Sequence, residues 1–180
     1  WLLKASEDWL EPIYEEMKRR LCAHEVLHAD ESTLQVLKEP GKTAQSKSYM
    51  WLYRTSGDIK HQIVIYDYKP DRKHTHPEKF LKYFKGYLHT DGYDGYHKLP
   101  ENIIVVGCLA HLRRKFFDAF KTLPKEKQPE SNAAKGVAYC DKLFHLEKQF
   151  ASLTPDKRLK ERESLSRPVF DEFYNWIYGL

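Results

Sequence analysis

No apolar run in the sequence is long enough to span a bilayer, and no charged-then-apolar leader resembles a secretory signal. A membrane partner is therefore not expected. Cysteine is scarce: Cys22, Cys108 and Cys140 are widely spaced and odd in number. That pattern argues against a disulfide frame and predicts free thiols in a reducing compartment. Neither sign of charge dominates, with 30 Lys and Arg against 26 Asp and Glu and a formal net charge of +4. Such a mild basic excess permits a nucleic-acid partner without demanding one. Internal repeats and low-complexity tracts are also lacking. The chain opens on Trp1 and closes on Gly179-Leu180 after an aromatic run, which reads as an excised fragment.

What the sequence does have is core-forming material. It is 41% hydrophobic and 31% charged over 180 residues, enough for one compact domain or a domain with a helical appendage. Residues 1–23 read as a packing helix, with Leu10, Ile13, Met17 and Leu21 at helical spacing and Pro12 opening or kinking it. From residue 24 the period changes to that of a strand. Val26, His28, Asp30 and Ser32 then face one way, and Leu27, Ala29, Glu31 and Thr33 the other. A mobile polar loop, 38–48, leads to strands over 49–54 and 62–68, joined by a turn at Ser56-Gly57-Asp58. Short connections make these three an antiparallel meander.

Residues 70–76 form a basic, histidine-bearing loop, and Pro77 opens a helix through Phe84 closed by Gly86. A fourth strand, 87–90, ends at Asp91. A fifth, 103–108, is apolar throughout, as for a strand covered on both faces. A helix over 109–120 follows. An α/β core is expected to occupy 24–124 and an all-helical addition 125–180, with stripes through Val137, Leu143, Leu146 and Phe150 and through Val169, Phe170, Phe173, Trp176 and Ile177. The fold class is α/β: a mixed five-stranded sheet flanked by helices.

Two stretches carry the chemistry. His28-Ala29-Asp30-Glu31-Ser32 and His89-Thr90-Asp91-Gly92-Tyr93-Asp94-Gly95-Tyr96 each place a carboxylate where a buried strand should carry an apolar side chain. A charge there is costly unless it is paired or binds metal. A right-handed helix crossover that set the fourth strand beside and parallel to the first would bring Asp30 and Asp91 together. Hard oxygen ligands suit Mg²⁺ or Mn²⁺. Two such ions, about 3.5–4 Å apart, support in-line phosphoryl transfer.

These two stretches, followed by Gly107-Cys108-Leu109-Ala110-His111-Leu112-Arg113-Arg114-Lys115-Phe116, resemble the transposases of the insertion sequence 66 family across essentially the whole chain. Ser32 and Leu109 stand where that family usually has Thr and Trp. The resemblance implies a DDE-type enzyme with a ribonuclease H-like catalytic core that cleaves and joins DNA strands with divalent metal. Asp30 and Asp91 would be the first two acidic ligands. The third, a Glu in an Asn-Asn-x-x-Glu-Arg pattern, has no counterpart here, so the fragment alone is expected to be a poor catalyst. The implied partners are transposon-end and target DNA, with possible self-association of the parent protein, in the bacterial cytoplasm and on the nucleoid when DNA is bound.

Other residues leave alternatives open. His111, Arg113, Arg114 and Lys115 are candidate phosphate contacts or a solvated helix face. Lys69, Arg72, Lys73, His74 and His76 share that ambiguity. Cys108 and His111 have the spacing of half a zinc site, with no second pair evident. His28 and His89 could support the two acids or simply pack. Glu31 points away from the site and reads as structural, and Asp94 reads as a turn carboxylate. The abundant Tyr and Phe residues fall mostly at core spacings. A non-catalytic DNA-binding or assembly module is the competing function. A stand-alone nuclease completed by Asp118 is a third.

Overall fold

The computed structural model describes residues 2–57 and 59–179, and of Leu2 the backbone alone. The expected turn at Asp58 therefore lies partly outside the described residues. The chain divides into two compact units, Trp1–Cys108 and Leu109–Leu180, each of which is described by itself.

The first unit begins with α1 (Leu2–Ala5), which runs through a π-helical stretch (Ser6–Leu10) into α2 (Glu11–Cys22). The wide turn falls just before Pro12, whose ring nitrogen has no hydrogen to bond back along the helix. There follow β1 (Val26–Gln35), β2 (Lys47–Thr55), β3 (Val64–Lys69), α3 (Thr75–Phe80), β4 (Gly86–Thr90), a 3-10 turn (Asp94–Lys98) and β5 (Ile103–Gly107). The five strands form one mixed sheet in the order β3-β2-β1-β4-β5. The expected meander is present: β1 pairs antiparallel with β2 over nine positions, and β2 with β3. The helix crossover returns β4 parallel to β1, and β5 is parallel to β4.

Alternation along the strands sends one set of side chains into the core. Leu27, Ala29, Trp51, Tyr53, Ile65 and Leu88 meet Leu21 of α2 and Phe80 of α3 there. The Phe80 ring stacks on Tyr53 at 3.7 Å between centroids. At roughly 25 cal/mol per Å² of apolar surface removed from water, these large side chains supply the main driving force for the unit. β5 departs from expectation. Ile103 is buried, but Ile104 and Val106 are 50% and 38% exposed, so the strand is covered on one face, not both. Tyr66 and Tyr87 are likewise exposed, as is Tyr83 outside the strands, so the tyrosines are not uniformly core residues.

The second unit is helical: α4 (Leu109–Thr122), a short 3-10 turn (Lys125–Lys127), α5 (Asn132–Phe150), α6 (Pro155–Glu161), a π-helical stretch (Arg162–Ser166) and α7 (Arg167–Tyr178). Ser131 caps α5, its Oγ accepting the Ala134 N–H at 3.1 Å. Cys140, Leu143, Val169 and Phe173 form this unit's core, with Phe116 packed against it. Gly136 is needed where α5 meets α4, because a Cβ there would strike the Phe116 ring. No helix among the described residues is long and apolar enough to cross a membrane.

One glycine sets the sheet. Gly86 has φ +139°, a backbone conformation that side chains oppose, and a Cβ on it would collide with the Glu25 carbonyl. That close approach lets Tyr87 N–H reach the Glu25 carbonyl at 2.8 Å, where β4 joins β1. Gly86→Ala is expected to destabilise the chain by about 1–3 kcal/mol in urea unfolding. Unchanged stability would show that the junction tolerates a side chain.

Candidate active site

The parallel pairing of β1 and β4 aligns Val26 with Tyr87, Leu27 with Leu88 and His28 with His89. Asp30 and Asp91 each stand two residues beyond the aligned histidines, Asp91 just past the carboxyl end of β4 and Asp30 in the middle of β1, which runs on to Gln35. The histidine rings meet at 4.7 Å between centroids. Burial, with His89 and Arg54 nearby, lowers the pKa of His28 below the usual imidazole value.

The two carboxylates sit in different local settings. Asp30 lies within β1, half-buried on the face opposite the core, and its Oδ1 accepts the Glu31 N–H at 2.9 Å. Asp91 is the first residue past β4. Its Oδ1 accepts the Tyr93 N–H at 2.9 Å, closing a tight turn, and its Oδ2 lies 3.6 Å from Arg72 Nη2. The strand below it is held to β5 as Cys108 N–H donates to the Thr90 carbonyl at 2.8 Å.

Glu31 does point away from the Asp30 face, as expected, but it is not a bystander. Its side chain is fully buried. Tyr96 O–H donates to Oε2 at 2.7 Å, and Arg72 donates to Oε1 through Nε at 2.7 Å and also through Nη2. Burial pushes the Glu31 carboxyl up, while the Tyr96 and Arg72 hydrogen bonds pull it back. Arg72 shows the same contact from the other side: burial alone would lower its pKa, but the Glu31 bond raises it. Both directions describe an ion pair that offsets part of its own desolvation cost. Glu31 and Asp91 thus share one guanidinium.

The loop around Arg72 is itself tied down. Arg72 lies over the Tyr93 ring at 4.0 Å, and Tyr93 O–H donates to the Arg72 carbonyl. Asp71 accepts from Lys73 and lies 2.5 Å from His76 Nε2, and these contacts hold its carboxyl down at about 2. Tyr96 in turn packs edge-on against Trp51 at 6.0 Å. Gly95 belongs to this cluster because a side chain there would enter the Tyr93 ring. By sequence alone Arg72 is one of several basic residues in the loop after β3. The one signal for its role is strand parity, which sends Glu31 into an apolar core where only a cation could balance it.

The other candidates fall elsewhere. Arg113 is bound to Asp141, with Nε 2.5 Å from Oδ1, and lies near the Phe117 ring. Arg114 and Lys115 are exposed on α4, and His111 is half-buried. His111 Nδ1 is enclosed without a hydrogen-bond partner. Asp118 is exposed on α4 in the helical unit, and Asp94 is exposed at the start of its 3-10 turn.

The oxygen donors of Asp30 and Asp91 are chemically suited to Mg²⁺ or Mn²⁺. They are two donors only. Among the described residues no group of three His, Cys, Asp or Glu side chains converges on a cation position, which also leaves Cys108 and His111 without a zinc set.

The family model described as "Transposase IS66 family" matches residues 1–179. Uncharacterized protein y4hP of Sinorhizobium fredii (strain NBRC 101917 / NGR234) is 29% identical over 93% of this chain and 33% of its own length. From the same organism, uncharacterized protein y4qI is 35% identical over 55% of this chain and 21% of its own, and uncharacterized protein y4jD is 26% identical over 89% and 33%. The chain thus spans a third or less of these relatives. No solved structure matches it.

Tyr96→Phe removes a donor to a buried carboxylate and keeps the ring. It is expected to cost about 1.5–3 kcal/mol in urea unfolding. A value near zero would mean that Arg72 alone satisfies Glu31.

Proposed function

Because the chain belongs to the IS66 transposase family, we propose that it carries part of a ribonuclease H-like core for metal-dependent DNA cleavage and strand transfer. The observation that supports this reading is the parallel β1–β4 pairing, which aligns His28 with His89, each two residues before one of the acids.

Asp30 and Asp91 would hold Mg²⁺ or Mn²⁺. Bound there, the metal would supply Lewis-acid stabilisation of charge on the transferring phosphate and activation of the attacking hydroxyl. The protein's own part is geometric. The sheet fixes the spacing of the two acids, and the Asp91–Tyr93 turn and Arg72 fix the direction of one carboxylate. The reading assigns a third acid to chain outside these 180 residues, as the relatives are about three times as long. On this view the isolated chain is a poor catalyst. Arg114 and Lys115, exposed on α4, are the better DNA contacts of the basic run, and His111 and Arg113 play a smaller part because they are enclosed or paired. DNA is the partner, self-association belongs to the parent protein, and the place of action is the cytoplasm and nucleoid.

Calorimetric titration of the chain with Mn²⁺ tests the metal assignment. Asp30→Asn and Asp91→Asn are each expected to weaken binding by at least about tenfold. Equal affinity in wild type and both variants would count against the site. It would favour a DNA-binding or assembly module without chemistry.

A further inference from the structure

Arg72 is held more rigidly than a loop cation needs to be, and its pairing is incomplete. Nε and Nη2 both go to a single oxygen of Glu31, whose other oxygen is taken by Tyr96. Tyr93 supports the guanidinium plane from one side at 4.0 Å. Nη1 takes no partner among the described residues, and the side chain is 39% exposed although Glu31 beneath it is fully buried. The result is a fixed cation with one free N–H edge, 3.6 Å from Asp91.

We propose that Arg72 is a substrate-contacting residue of the Asp30–Asp91 site, its free guanidinium edge receiving a phosphate oxygen of the DNA backbone. The assignment rests on the reading of that site given above. Three features of the chemistry support it. A planar guanidinium matches phosphate geometry with parallel N–H donors. Pinning by Glu31 and Tyr93 removes most of the side-chain entropy that a free arginine would lose on binding. A phosphate approaching two carboxylates meets repulsion, and a cation beside Asp91 offsets it. Glu31 is then a positioning residue: it touches no substrate but sets where the guanidinium edge points.

The test measures binding of a short fluorescein-labelled DNA duplex to the chain as a function of salt. Arg72→Gln alone would strand the buried Glu31, so the informative variant is Glu31→Gln/Arg72→Gln, in which Tyr96 keeps an amide partner and no buried charge is left. Circular dichroism establishes that it folds. The double variant is expected to lose about 3- to 10-fold in affinity at low salt and about one unit of the slope of log affinity against log salt. Lys157→Gln, an exposed lysine on α6, should lose much less. A purely structural brace would leave the slope unchanged, and that result in a folded double variant would overturn the assignment. If wild type binds with a salt slope and only the Arg72 effect is missing, the wider reading survives. If wild type shows no salt-dependent binding, both fail together.

Discussion

Three residues of parallel pairing, Val26–His28 with Tyr87–His89, decide what the rest of this molecule can do. The contact is short because β4 is short and because β1 runs on past it, paired only with β2. It depends on Gly86, whose backbone lets β4 come against the Glu25 carbonyl where no side chain would fit. Everything beyond that contact follows in register. The histidines meet ring to ring, and the acids follow two residues further on, Asp30 within β1 and Asp91 just past β4.

The second constraint is a buried carboxylate. Glu31 follows Asp30 directly, so strand parity must turn one of them into the core. Burying it costs several kcal/mol unless its lone pairs are met. The fold meets them with Tyr96 from the segment after β4 and with Arg72 from the loop after β3. A group that is expensive by itself thereby joins three segments distant in sequence, and the cation that balances Glu31 also reaches Asp91. Stability and the geometry of the candidate site are set by the same charge.

Much of this was legible before any coordinates. Switches between helical and strand periods mark the five strands, because Leu27, Ala29 and Glu31 alternate with His28 and Asp30. The short connections around β2 and β3 allowed only a meander, and the helix between β3 and β4 allowed a parallel return. Motif order also pointed to the transposase family that the comparisons then showed. Coverage of β5 was misjudged, since a wholly apolar strand looks the same whether one face or both are buried, and Ile104 and Val106 proved exposed. The tyrosines divide for a related reason: Tyr53 and Tyr96 are buried while Tyr66 and Tyr83 are exposed, because spacing does not say whether anything packs against a ring.

By itself, then, the sequence determined the strand alternation, the element order and the pair of acids two residues after histidine, because each is a local pattern of side-chain chemistry. The register that aligns the histidines before those acids was decided by tertiary structure, through a glycine's tolerance of close backbone approach. The partnership of Glu31, Arg72 and Tyr96 was also left to the folded chain. Its members lie as far apart as 65 positions, and only the cost of an unpaired buried charge brings them together.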